Sequence, residues 1–132
     1  MLTLFEICKN GLEGLKKQGK RAGYYSPDVG GDGFRCLYRG PEDTKCFIGF
    51  SIPDELYTPI MEGQSAMRLS NAYPQLGFTD VVSKFGLGLL QRVAHDNNGF
   101  TGRRFFEHAK KVVLQECKYK LSVEEYMQLE AI

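Results

Sequence analysis

Phe34-Arg35-Cys36-Leu37-Tyr38-Arg39 and Lys45-Cys46-Phe47-Ile48-Gly49-Phe50-Ser51, joined by Gly40-Pro41-Glu42-Asp43-Thr44, are the stretches whose reading decides the fold. Two apolar runs rich in aromatic and β-branched residues around a Gly-Pro-containing connection predict a β-hairpin. With Arg39 opposite Lys45, side-chain alternation puts Phe34, Cys36 and Tyr38 on one face with Cys46, Ile48 and Phe50. That face is the expected core side. The outward face then holds Arg35, Leu37, Arg39, Lys45 and Phe47, a mixed basic and apolar surface suited to a partner. In this register Cys36 lies opposite Ile48 and Cys46 opposite Tyr38. The two cysteines become diagonal neighbours roughly 7 to 8 Å apart, too far for an unstrained disulfide.

Working toward the N-terminus, Lys20 to Gly33 contains Gly23, Pro27, Gly30, Gly31 and Gly33 and reads as a loop, with Tyr24 and Tyr25 as its adhesive residues. Before it, Thr3-Leu4-Phe5-Glu6 has the form of a capping box, and Leu4, Cys8, Leu12 and Leu15 recur at helical spacing. A helix is predicted from Leu4 to about Gln18, stopped by Gly19. Gly11 and Gly14 each weaken it by about 1 kcal/mol relative to alanine, so packing must hold it.

Toward the C-terminus, Pro53 ends the second strand, Asp54 to Tyr57 and Ile60 to Gly63 form short turns about Pro59, and residues 64–77 have weak periodicity anchored by Met67 and Leu69. Phe78, Val82, Phe85, Leu89 and Val93 trace a helix from about Asp80 to His95, capped by Thr79 and stopped by Asn97-Asn98-Gly99. Another helix spans about Gly102 to Lys118 and buries Phe105, Phe106, Ala109, Val112, Val113 and Cys117, with Glu107 and Lys111 paired outside. Ser122-Val123-Glu124-Glu125 is a second capping box that opens a terminal helix. The expected fold is α+β: one domain over residues 1–132, with an antiparallel β-hairpin or small sheet packed against three to four helices.

Charge limits the partners. Seventeen basic residues against 16 acidic ones leave a net charge of +1, which argues against a dedicated nucleic-acid binder. No apolar run approaches the roughly 20 residues of a membrane span, and Met1 to Cys8 lacks the features of a signal peptide. A cytoplasmic location with reduced thiols is expected. Cys8, Cys36, Cys46, Cys117, His95 and His108 show none of the short paired spacings of structural zinc, so neither metal nor cofactor is expected.

Two features invite a chemical reading. His95-Asp96 at the end of the expected helix pairs an imidazole with a carboxylate, which with Cys36, Cys46 or a carboxylate would suit a hydrolase. A histidine stabilising a helix C-terminus accounts for it more simply. Arg103-Arg104 with Lys110-Lys111 suits phosphate, but Glu107 dilutes the patch and solvated helix surface is the plainer account. Gly30-Gly31-Asp32-Gly33 lacks the Gly-Lys-Ser/Thr ending of a phosphate loop and reads as a turn.

Cys36-Leu37-Tyr38-Arg39-Gly40, Lys45-Cys46-Phe47-Ile48-Gly49, Ile52-Pro53-Asp54, Tyr57 and Met61-Glu62-Gly63 resemble a pattern of short phage and prophage proteins, in which a Leu-Gln-x-x-His-Asp segment lies downstream. Here that segment is Leu90 to Asp96, and Phe47 stands where the pattern has alanine. The resemblance implies a phage origin and carries no catalytic residues. It also groups Arg39, Asp54, Glu62, His95 and Asp96 as either a polar groove or an internal network. The leading expectation is a phage-encoded protein that inhibits a host or bacterial-defence factor by binding it, through Tyr24, Tyr25, Arg35, Arg39, Phe47, Asp54, Glu62, His95 and Asp96. The alternatives are a sponge for a small nucleotide signal, a hydrolase using His95 with Cys46 or a carboxylate, and a homodimer formed through the terminal helix.

Overall fold

Leu4, Ile7, Cys8, Leu12 and Leu15 form the buried stripe of helix α1 (Leu4–Gln18). Its predicted ends are both present. Thr3 Oγ1 accepts the Glu6 N–H at 3.1 Å, Glu6 Oε1 accepts the Thr3 N–H at 3.0 Å, and Gly19 ends the helix in the left-handed conformation. The computed structural model describes residues 1–26, 28, 34–86 and 102–132. The Gly30 to Gly33 turn, the Asn97-Asn98-Gly99 stop and the Leu87 to His95 part of the expected helix lie outside them.

The described residues form an α+β fold with two small antiparallel ribbons set against helices. Strand β1 (Gly23–Tyr25) pairs with β2 (Phe34–Cys36), and β3 (Arg39–Gly40) pairs with β4 (Thr44–Lys45). Arg39 stands opposite Lys45, as the hairpin register requires. The hairpin is nonetheless much shorter than expected, because the stretch read as a loop supplies β1 and takes Phe34–Cys36 as its partner. Cys36 therefore faces Gly23, not Ile48.

After Lys45 the chain abandons the extended form and turns through a 3-10 segment at Gly49–Ser51. A Cβ on Gly49 would lie 2.3 Å from the Tyr38 carbonyl oxygen, so only glycine permits this close approach. Alternation would have left every second side chain of this run outside. The turn buries Cys46, Phe47 and Ile48 together, which removes more apolar surface from water. Phe47, placed by the sequence on the outward binding face, is 0% exposed. Its ring fills the space where a Gly11 side chain would stand, with ring carbon Cδ2 2.3 Å from an ideal Cβ position, and Phe50 does the same at Gly14.

Helices α2 (Ala66–Ala72) and α3 (Thr79–Phe85) pack against each other and bury Leu69, Phe78, Val81 and Val82. Met67, an expected anchor, is exposed, and Thr79 is the first helical residue, not a side-chain cap. Helix α3 ends at Phe85 with Gly86 at φ 65°. It is thus shorter than the helix expected to run to His95.

Helix α4 (Gly102–Cys117) runs antiparallel to α1. At one end the Gly102 N–H donates to the Gly19 carbonyl at 2.7 Å, and at the other Cys8 Sγ meets Cys117 Sγ at 3.6 Å. Phe105, Phe106, Ala109, Val113 and Cys117 form the buried face of α4. Glu107 bonds back to Arg103 at 2.8 Å, where a pair with Lys111 was expected. Helix α5 (Val123–Glu130), opened by the Ser122 and Glu125 capping box, packs on α1 and α4 and buries Leu129. Among the described residues no helix is long and apolar enough to cross a membrane.

Candidate functional site

Arg39, Asp54 and Glu62, grouped by the resemblance, do come together. Glu62 projects from the end of the Pro59–Met61 turn, and its Oε1 accepts the Tyr38 N–H at 2.8 Å. Its Oε2 accepts the Arg39 N–H at 3.1 Å and the Tyr57 hydroxyl at 2.6 Å. Arg39 Nη2 donates to the Ile52 carbonyl at 2.8 Å, Nη1 meets Asp54 Oδ1 at 2.6 Å, and its guanidinium lies 4.8 Å from the centre of the Tyr57 ring.

This arrangement is a tie between β3 and the segment from Ile52 to Glu62. The Glu62 carboxylate is engaged by three donors and Arg39 is mostly covered, at 20% side-chain exposure. Burial, with help from Glu62, pushes the Tyr57 phenol up to about 12. Arg39, by hydrogen bond and charge, holds the Asp54 carboxyl below its ordinary range, with a smaller contribution from Lys45 3.8 Å away. Arg39 Nε is buried without a hydrogen-bond partner. Nη2 is taken up by the Ile52 carbonyl and Nη1 by the exposed Asp54 carboxylate, so the geometry favours the network reading of this group over an open groove.

The β1–β2 ribbon has the opposite character. Tyr24 stands directly opposite Arg35, so the two side chains share one face, and both are exposed. Tyr25 projects from the other face at 66% exposure, and Arg21 Nη2 donates to its hydroxyl at 3.1 Å. Two tyrosines and Arg35 thus meet solvent on a strand pair only three residues long, with half-buried Arg21 just before it. Such residues dominate protein interfaces, because they offer large rigid contact area with a polar tip.

A third feature appears only in the folded chain. The C-terminal turn of α1 and the first half of α4 enclose an open cleft of about 620 Å³ lined by Lys16, Lys17, Arg103, Phe106, Glu107 and Lys110. The four cations there face the Glu107 carboxylate and the backbone oxygen of Ile132, which also lines the cleft. Lys16 and Lys110 also donate to the carbonyls of Ile132 and Glu130, which anchors them at the rim. Arg103 and Lys110 were visible in the sequence as a diluted basic patch. Lys16 and Lys17 lie on a different helix, and no local pattern connects them to it.

Of the other expected site residues, His95 and Asp96 lie outside the described residues. Cys46 is 1% exposed, and the neighbouring Cys36 thiol together with burial pushes its thiol well up. That is the reverse of what a nucleophile needs. Among the described residues no group of three or more histidine, cysteine and acidic side chains is placed to hold a metal ion. Compared with known proteins, the chain matches no family model, no curated protein and no solved structure.

Proposed function

We propose that this chain is a phage-encoded binding protein that inhibits a host or bacterial-defence factor in the bacterial cytoplasm, using the β1–β2 ribbon as its contact surface. The observation that carries the reading is the exposure of Tyr24 and Arg35 on one face, and of Tyr25 on the other, of a short ribbon held to the body by its neighbours. The Leu37 N–H donates to the Ala22 carbonyl at 2.9 Å, and a Cβ on Gly40 would lie 2.8 Å from the Gly23 nitrogen, so the two ribbons pack closely. A contact surface fixed in this way loses little entropy on binding. The resemblance of residues 36–63 to phage and prophage proteins supplies the biological setting.

The test is capture from a bacterial host lysate by the tagged chain and by a Tyr24→Ala/Tyr25→Ala variant. Exposed substitutions of this kind change stability by about 0.5 kcal/mol or less, whereas loss of two central aromatics weakens an interface roughly 30-fold or more. The expected result is an unchanged melting temperature and loss of the captured protein. Equal capture by both forms removes the ribbon from the interface.

The basic cleft favours a second reading, a sponge for a small nucleotide signal. Lysine and arginine supply phosphate contacts. Under this reading a cyclic dinucleotide binds with an affinity that falls at high salt and drops about tenfold or more in Lys17→Glu/Arg103→Glu, as followed by isothermal titration calorimetry. Salt-independent binding, or none, removes it.

A further inference from the structure

Cys8 and Cys117 are 109 residues apart in sequence, yet their sulfur atoms lie in contact at 3.6 Å between α1 and α4. We propose that these two thiols are an oxidative modification site, which a small hydroperoxide converts to a disulfide that staples the two helices. A disulfide bond is about 2.05 Å long, so the sulfurs need to close by only about 1.5 Å.

Position assigns the order of events. Both sulfurs are buried, but Cys8 sits within α1, whereas Cys117 is the last residue of α4, directly before an exposed turn that carries Lys118, Tyr119 and Lys120. The Lys120 N–H donates to the Cys117 carbonyl at 3.0 Å. Local opening of such a surface turn costs much less than global unfolding, and it admits an oxidant the size of hydrogen peroxide. The Cys8 thiol and the charge of Lys120 lower Cys117, against burial and Glu116, while the Cys117 thiol and burial raise Cys8 against a smaller lowering by the same Lys120. Cys117 is the attacking sulfur and Cys8 the resolving one.

In the first step the Cys117 thiolate attacks hydrogen peroxide. The O–O bond breaks, an S–O bond forms to give the sulfenic acid, and hydroxide leaves. In the second step the Cys8 sulfur attacks the Cys117 sulfur, the S–O bond breaks, and the Cys8 proton leaves with the oxygen as water. The two thiols lose two electrons to the peroxide. A dithiol reductant reverses the change.

The Cys36 and Cys46 thiols are also hydrogen-bonded to each other and serve as an internal comparison. No neighbouring cation lowers Cys46, which is buried, whereas its partner Cys36 is half-buried.

The experiment is treatment of the folded, reduced chain with a small molar excess of hydrogen peroxide, followed by alkylation of the remaining thiols, intact mass measurement and peptide mapping. The expected result is a loss of two hydrogens, a Cys8–Cys117 cross-linked peptide, and a melting temperature raised by about 10 °C or more, because the cross-link closes a very long loop. In Cys8→Ser the expected product is a Cys117 sulfenic acid trapped by dimedone. Cross-linking of Cys36 to Cys46 alone, or thiols that stay reduced until the chain is denatured, overturns the proposal. The mapping on the unsubstituted chain stands whether or not the serine variant folds.

Discussion

Phe47→Ala is expected to destabilise the fold by about 3 to 5 kcal/mol, the largest effect of any single substitution considered for this chain. The ring is completely buried and lies directly on the backbone of α1 at Gly11. Its removal forfeits the transfer free energy of a full aromatic side chain, and it leaves a void between a helix and a turn whose backbone is pinned at Gly49. The same contact read from the helix gives a counter-intuitive companion result. Gly11→Ala should raise helix propensity by about 1 kcal/mol, yet it forces a methyl to within 2.3 Å of a Phe47 ring carbon. Overpacking of this kind costs typically about 1 to 3 kcal/mol, so the net change is destabilising. Urea unfolding of both variants decides the matter. A stabilised Gly11→Ala, or a Phe47→Ala within about 1 kcal/mol of the parent, is incompatible with this packing.

Glu62→Ala is expected to cost about 3 kcal/mol, through hydrogen bonds and not through volume. One carboxylate accepts two successive backbone N–H groups, those of Tyr38 and Arg39, together with the Tyr57 hydroxyl. Hydrogen bonds to charged groups contribute about 1.5 to 3 kcal/mol each, and stranded donors then carry their own desolvation cost. The effects do not add, since water reaches a partly exposed site. Glu62→Gln keeps one accepting oxygen and should lose about half as much. Equilibrium denaturation of the two variants, with Tyr57→Phe for comparison, measures the sequence of losses. Indifference to Glu62→Ala would return Arg39, Asp54 and Glu62 to the role of an open polar groove.

Of these residues, Phe47 was assigned to the outward face by strand alternation, whereas Glu62 was grouped with Arg39 and Asp54 only by the resemblance. Alternation in a strand specifies a face only while the chain stays extended. The Arg39 to Lys45 pairing was legible because Gly40 to Thr44 is a local connection between two nearby residues. Past Lys45, the carbonyl of Tyr38 and the glycines of α1 determine the path, and neither is adjacent in sequence. The glycines were visible as a weakness of the helix. Only Phe47 and Phe50 show that they are receptors for aromatic rings.

Local chemistry alone determined the caps and stops of α1 and α5, the helical stripe of α4, the Arg39–Lys45 turn and the exposure of the tyrosine pair, since each depends on residues within one or two turns of chain. Tertiary structure alone decided the partner of Phe34–Cys36, the burial of Phe47, the meeting of Lys16 and Lys17 with Arg103 and Lys110, and the contact of Cys8 with Cys117. Each of these joins segments separated by a loop or by most of the chain. Which segments meet is settled by the total apolar surface that the whole molecule removes from water, a quantity that no window of the sequence contains.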